Sequence, residues 1–374
     1  MILLYLLAAA QALAAIVVLA RLTRGKDRPV PLSIGAAARP GSISVVIPAR
    51  NEAHRISPLL AALTETGPVV REVIVIDDRS KDGTAEIVAR FARLDKRIRV
   101  VRSRKRDKRW VGKQHALQQG LELAAAPWTL CLDADTCPDP ALPDALLAAV
   151  DEHGYDVVSA GPRFAVGTIG ETILHPALLA TLVYRFGPPT IAPVRSARTI
   201  ANGQCLLVPT VRFRLAGGWE PVKANMTEDV ALARHLVREG WLLGMANAAP
   251  LLLVDMHSST WDAWCEWGRS LALPGVASGK EQTLDIVTLV LAMALPPWML
   301  LAAILMDNLL IGVPALILIA VRLLFHVVLR PNYDRPSLFY WLAPLADGLA
   351  VIRLLASAVR PNRRWRGRHY AQSS

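Results

Sequence analysis

Asp133-Ala134-Asp135 follows the run Trp128-Thr129-Leu130-Cys131-Leu132 directly, and two carboxylates so placed suit a definite chemistry. Side chains two apart on an extended chain share a face, so Asp133 and Asp135 can address one ligand from a strand end. Their hard oxygens suit an octahedral cation, Mg²⁺ or Mn²⁺, that also bonds substrate phosphates. An isolated D-x-D is more often a solvated acidic turn. Here it has company: Pro48-Ala49-Arg50-Asn51-Glu52 and Asp77-Asp78-Arg79-Ser80 also follow short β-branched runs. Polar groups at successive strand ends lie where open α/β sheets bind ligands.

The elements that must hold these residues can be read from periodicity. Ser44–Pro48 and Glu72–Asp77 have the apolar, β-branched character of buried parallel strands, with a helix expected from about Ala53 to Thr64 between them. Ser80-Lys81-Asp82-Gly83-Thr84 gives a turn and helix start. Ile87, Val88, Phe91 and Leu94 then fall on one helical face, and a third strand is expected near Ile98–Val101. This βαβαβ rhythm is the nucleotide-binding half of a doubly wound α/β sheet. The chain has neither G-x-G-x-x-G after the first strand nor a G-x-x-x-x-G-K-[ST] loop, which disfavours a dinucleotide dehydrogenase or a P-loop enzyme. Further on, Thr227 can cap a helix with apolar face Val230, Ala233, Leu236 and Val237, ended by Gly240. Glu228 and Asp229 then sit in its first turn, where the helix dipole alone favours acids.

The 374 residues allow one catalytic domain plus membrane segments. Hydrophobic residues make up 53% and concentrate at the two ends. Residues 2–20 are apolar over a length that crosses a bilayer core of roughly 30 Å. Arg21, Arg24, Lys26 and Arg28 follow this run rather than precede it, which favours a retained anchor over a cleaved signal and places the middle of the chain in the cytoplasm. Apolar stretches at about 286–305, 309–329 and 337–358 form a C-terminal membrane region, the first two joined by Met306-Asp307-Asn308 as a hairpin. The third carries Pro344, Asp347 and Arg353 and precedes a basic tail. Either it is re-entrant or interfacial, or the positive-inside tendency fails there. The expected organisation is an anchor at 1–22, a catalytic domain at 41–270, a membrane region at 284–358 and a cytoplasmic or interfacial tail at 359–374. The formal charge of +11 fits a multi-pass protein of the cell membrane, and no nucleic-acid motif accompanies it. Four scattered cysteines suit a reduced compartment.

Taken in order, Val45–Glu52, Val75–Thr84, Asp133-Ala134-Asp135 and Thr227-Glu228-Asp229 resemble the successive motifs of family 2 glycosyltransferases with the GT-A fold, over about residues 43–270. The resemblance implies a Rossmann-like α/β domain and an inverting hexosyltransferase. It would use a nucleoside-diphosphate sugar and a divalent metal, Mg²⁺ or Mn²⁺. Residue by residue, it implies that Pro48, Ala49, Arg50 and Glu52 line the nucleotide pocket and that Asp78 bonds the base. Asp133 would face the ribose and Asp135 the metal. Asp229 would be the general base, with Glu228 orienting base or acceptor. Asp77 is as well explained by fixing its own turn. Trp110-Val111-Gly112-Lys113 resembles the W-x-G-K segment of the family, where Lys113 would offset diphosphate charge. The neighbouring basic run, Arg97 to Arg109, reads as a solvated or membrane-facing surface.

Asn202-Gly203-Gln204 and Gly217-Gly218-Trp219 resemble the acceptor-side loop, implying backbone shape and acceptor stacking. Trp261, Trp264 and Trp267 lie just before the membrane hairpin, where interfacial anchoring explains them equally well. That segment departs from the Q-x-x-R-W signature of processive polysaccharide synthases. The W-x-G-K pattern and the terminal Trp365-Arg366-Gly367-Arg368-His369-Tyr370 are similar to the membrane branch containing bacterial carotenoid- and hopanoid-associated glycosyltransferases. The expected partners are therefore a nucleotide-sugar donor, the bilayer, and a membrane lipid acceptor of the carotenoid or isoprenoid kind. A polyprenyl-phosphate sugar synthase, or a transferase acting on a glycolipid or polysaccharide, is the alternative.

Overall fold

The computed structural model describes residues 1–23, 29, 31–32, 39–190, 199–273, 276–360, 364–366 and 368–370. Arg24, Lys26 and Arg28 of the basic flank, and Arg363 and Gly367 near the C-terminus, lie outside the described residues. The chain divides into two compact units.

The unit comprising Asp27–Phe164, Pro189–Met256 and Arg363–Ser374 is built on a mixed sheet. Strand β1 (Ile43–Ala49) is buried along its whole length. It pairs in parallel with β2 (Val70–Asp77), which pairs in parallel with β3 (Ile98–Arg102). Helices α1 (Ile56–Thr64) and α2 (Thr84–Leu94) make the crossovers, α1 burying Ile56, Leu59, Leu60 and Leu63. Helix α3 (Gly112–Leu123) then leads to β4 (Trp128–Leu132), parallel to β1 on its other side. A Cβ added at Gly120 would lie 2.1 Å from Val46 Cγ1, so the absence of a side chain there lets α3 lie against β1.

The chain continues through β5 (Thr136–Pro138), α4 (Leu142–His153), β6 (Val157–Gly161) and β7 (Arg163–Phe164). After β8 (Cys205–Pro209) come α5 (Thr210–Leu215), α6 (Glu228–Arg238), β9 (Leu243–Asn247) and β10 (Leu252–Val254). Among the described residues the main sheet has the order β3-β2-β1-β4-β8-β6-β9, while β5, β10 and β7 form a small second sheet. The parallel half matches the sequence expectation. Beyond it, β8 runs antiparallel to both β4 and β6, so the whole is a mixed α/β sheet. Since β2 and β4 lie on opposite sides of β1, the crevice beyond Ala49 and Leu132 is a topological switch point.

Helix α1 begins at Ile56 rather than near Ala53. The amides of Asn51, Glu52 and Ala53 are captured by Ser80 Oγ (3.0 Å), Thr84 Oγ1 (2.9 Å) and Asp82 Oδ2 (3.0 Å). Lys81 N returns a bond to Asn51 Oδ1 at 2.9 Å. The two loops are laced together, and the chain runs in turns up to Ile56.

The second unit comprises Met1–Lys26, Ala165–Pro188 and His257–Asn362. Ile2–Thr23, Leu309–Asn332 and Leu338–Val359 are each long and apolar enough to cross a membrane. Gly279–Ala294 and Pro296–Leu305 would make a fourth span if taken as one. The sequence suggested a simple span at 286–305. Instead the helix bends by 49° after a π-turn at Val290–Ala294, where Pro296 and Pro297 withhold amide donors. In the last segment, Leu338–Ala346 is a 3₁₀ turn running into Asp347–Val359, with Pro344 at the change. Asp347 accepts from Arg322 at 2.7 and 2.8 Å, both side chains 4% exposed. A carboxylate in an apolar helix is thus neutralised within the unit. Helix Ile169–Phe186 was not anticipated. Glu171, His175, Pro176 and Arg185 break its apolar pattern, and its start signal is Thr168, whose hydroxyl accepts from Glu171 N.

Candidate active site

The loop after β1 supplies Arg50 and Glu52. Arg50 is buried and donates to the carbonyls of Asp78 (2.5 Å) and Arg79 (3.1 Å), tying the ends of β1 and β2. Glu52 Oε2 accepts from Arg55 at 2.9 Å, and its other oxygen lies 2.7 Å from Arg366 Nε. Burial still lifts the Glu52 carboxyl to about 7, against the pull of Arg55. Pro48 and Ala49 complete the buried end of β1. Asp77 Oδ1 accepts from Ser80 N at 3.1 Å, the geometry of a residue fixing its own turn. Asp78 is 1% exposed; burial raises its carboxyl, and Arg368 pairs with it.

The strand β4 ends at Leu132, so Asp133 and Asp135 occupy a turn rather than the strand itself. Asp133 O accepts from Thr136 N and Thr136 Oγ1, and Asp133 N donates to Gln204 O at 3.1 Å. Asp135 O accepts from Asp255 N at 3.1 Å. The turn is therefore pinned from both sides. The two carboxylates have different cationic neighbours: Asp133 Oδ2 is 2.7 Å from Lys113 Nζ, and Asp135 Oδ2 is 3.9 Å from Arg55 Nη1. Asp135 Oδ1 is buried without a hydrogen-bond partner. Burial and the adjacent Asp133 charge push the Asp135 carboxyl up to about 7.

An unpartnered buried carboxylate oxygen beside a second acid fits a hard divalent cation. Among the described residues there is no group of three or more His, Cys, Asp and Glu side chains able to hold a metal by themselves.

On the other side, helix α6 opens with Glu228 and Asp229. Thr227 stands at the cap position, but its buried hydroxyl makes no capping bond. Asp229 instead accepts at both oxygens, from Gly203 N (3.1 Å at Oδ2) and Val230 N (2.8 Å at Oδ1). A Cβ at Gly203 would lie 3.0 Å from Asp229 Cβ, so this approach depends on glycine. Burial, then the Glu228 charge, push the Asp229 carboxyl up to about 6; Lys113 and the two amides act the other way.

Lys113 joins the two sides. Its ammonium lies 2.7 Å from Asp133 Oδ2 and 2.7 Å from Glu228 Oε1, and these two acids raise its pKa despite burial. The start of α3 is held in place by Val111 N donating to Lys223 O at 2.7 Å and by Gln114 donating to Asn225 O. Asp133, Lys113, Glu228 and Asp229 thus form one network.

Three expectations change. Trp219 is 1% exposed and packs edge-on to Phe213 at 4.8 Å, so it is a core residue with no face for an acceptor. Arg97 is not a solvated charge, since its guanidinium binds Asp95 and the carbonyls that end α1. Arg106, from the same basic run, lies 5.1 Å over the Tyr370 ring and donates to Trp110 O. Sequence reasoning gave no site role to Arg55, Arg366 or Arg368, which the structure places against Glu52, Asp135 and Asp78. The R-G-R of the terminal motif was the available signal for the last two.

Comparison with known proteins gives a consistent picture. Residues 44–198 match the family described as Glycosyl transferase family 2. Among curated relatives, a 4,4'-diaponeurosporenoate glycosyltransferase from Staphylococcus haemolyticus is 37% identical over 94 residues, covering 25% of this chain and 24% of the relative. A poly-beta-1,6-N-acetyl-D-glucosamine synthase from Staphylococcus aureus is 32% identical over 238 residues, 61% of this chain and 54% of the relative. The chain thus spans about half, or less, of the length of these relatives. Among solved structures, a mannosyltransferase from Pyrobaculum calidifontis in complex with GDP-Man and Mn²⁺ has a TM-score of 0.53 at 19% identity, covering 96% of this chain and 98% of that one. That likeness bears on the fold, which is GT-A. The family matched over residues 44–198 is the one that the motifs resemble.

Proposed function

We propose that this chain, through its family 2 glycosyltransferase-like domain, transfers a hexosyl group with inversion from a nucleoside-diphosphate sugar to a hydroxyl of a membrane lipid of the isoprenoid kind. The observation that carries the reading is Lys113 bridging Asp133 on the donor side to Glu228 beside Asp229. A donor-side acid pair held at fixed spacing from a poised base is what transfer to a hydroxyl requires.

In this mechanism Asp229 accepts the proton of the acceptor hydroxyl as that oxygen bonds to the anomeric carbon and the bond to the diphosphate breaks on the opposite face. Gly203 N and Val230 N hold one carboxylate oxygen each, which fixes the plane of the base without protonating it. Glu228 positions Lys113, and Lys113 offsets negative charge on the donor side. A divalent cation, when bound by Asp135 and Asp133, would stabilise charge on the leaving diphosphate. Arg50, Glu52 and Asp78 line the nucleotide end.

The lipid acceptor is supported by the diaponeurosporenoate relative and by helices suited to a membrane. The basic residues after the first apolar helix support a cytoplasmic catalytic unit. A polysaccharide acceptor is the second reading, favoured by the longer match to the poly-N-acetylglucosamine synthase. A polyprenyl phosphate is already ionised and would leave Asp229 without a task. The test incubates membranes containing the protein with a panel of labelled nucleotide-sugars, extracts lipids and identifies products by mass spectrometry. Label in an isoprenoid lipid is expected. Label confined to insoluble polymer would favour the second reading, and no transfer from any donor would overturn both.

A further inference from the structure

The C-terminal hairpin, β11 (Arg364–Trp365) and β12 (Arg368–His369), lies against the donor-side residues of its own unit. Arg366 Nε is 2.7 Å from Glu52 Oε1, and the Arg366 carbonyl accepts from Arg50 Nε at 3.1 Å. Arg368 pairs with the Asp78 carboxylate and reaches the Asp78 carbonyl at 3.4 Å. Tyr370 Oη accepts from Gly112 N, the first residue of α3, at 3.1 Å, and its ring carries the Arg106 guanidinium. One short segment therefore touches the loop after β1, the loop after β2 and the start of α3.

Charge decides what this contact is for. A nucleoside diphosphate in the crevice would bring its negative charge towards the buried acids Glu52 and Asp78, which repel it unless cations intervene. Three of the cations nearby are already engaged: Lys113 by Asp133 and Glu228, Arg55 by Glu52 and Met256 O, Arg50 by three carbonyls. Arg366 and Arg368 add two charges at the acids themselves. A guanidinium fork that fits a carboxylate also fits a phosphate.

We propose that Arg366 and Arg368 are donor-binding residues, the hairpin lying over the nucleoside diphosphate with its guanidinium groups shared between the phosphates and Glu52 and Asp78. This rests on the transferase reading above and adds a binding element from the far end of the chain.

The test is calorimetric binding of UDP and GDP, each with Mn²⁺, to the full chain in detergent. It compares the wild type, R366A, R368A, the R366K/R368K double variant and a chain ending at Arg360. Each alanine variant is expected to weaken binding of the preferred nucleotide about tenfold, the loss of one charge-assisted contact. The lysine pair should recover part of that loss, and the shortened chain should lose at least as much as either single variant. Thermal unfolding without nucleotide checks that the variants are folded, and the point variants decide if the shortened chain is not. Unchanged binding in both alanine variants would overturn the inference alone. Tighter binding in any of them would overturn it by making the hairpin a plug. A wild type that binds neither nucleotide would remove the transferase reading itself and the inference with it.

Discussion

If Asp229 is the base, the rate of transfer carries its titration. Its carboxyl is held at about 6, against an ordinary value of 3.8, by burial and by Glu228. A base works only when ionised, so activity is full above that value and is lost as pH falls through it. At pH 5 roughly a tenth of the molecules would hold Asp229 ionised, whereas a group at the ordinary value would remain over about nine-tenths ionised. The assay is initial transfer rate at saturating donor and acceptor from pH 4.5 to 8, corrected for unfolding. Two variants should move the midpoint in opposite directions. E228Q removes a neighbouring negative charge and should shift it down; K113M removes the ammonium that favours ionised Asp229 and should shift it up. D229N should lower the rate by about 10²–10⁴-fold while sparing nucleotide binding. A flat profile from pH 5 to 8, or a D229N variant with wild-type turnover, would refute the assignment.

Two further tests concern other parts of the chain. Asp135 carries the unpartnered oxygen, so D135N should raise the Mn²⁺ concentration needed for half-maximal nucleotide binding by about tenfold or more; an unchanged metal titration would remove Asp135 as a ligand. Breaking the Arg322–Asp347 pair with D347L leaves a buried guanidinium uncompensated and should destabilise the fold by about 3–5 kcal/mol, whereas R322M/D347L should recover most of that. Thermal unfolding in detergent measures both, and a D347L variant as stable as wild type would contradict the pair's structural role.

How much of this was legible in the sequence depends on range. Buried strands announce themselves by composition, so Ile43–Ala49 and Val70–Asp77 were readable within a residue or two, as was Gly240, whose φ of +81° follows the end of α6. Local rules failed where side chains from another loop intervened. The expected start of α1 falls instead in turns tied to the next loop through Ser80, Asp82 and Thr84. Thr227 looked like a cap, but Asp229 binds the amides nearby instead. The Arg368–Asp78 pair joins residues 290 positions apart, and no periodicity encodes such a contact. The helix Ile169–Phe186 went unseen because its polar residues are paired inside the fold, as Glu171 is with His257, a fact that hydropathy cannot register.

The antiparallel step between β4 and β8 works as a ruler. Leu132 faces Cys205 in the ladder, and the next bond, Asp133 N to Gln204 O, brings in the turn whose Gly203 holds Asp229. The spacing between Asp133 and Asp229 is therefore counted in backbone repeats. A slip of one residue would turn every side chain of β8 to the wrong face and draw Gly203 away from the base. Substitutions along β8 can retune packing while the pairing persists, but an insertion or deletion between Gly203 and Cys205 would move Asp229 relative to Asp133.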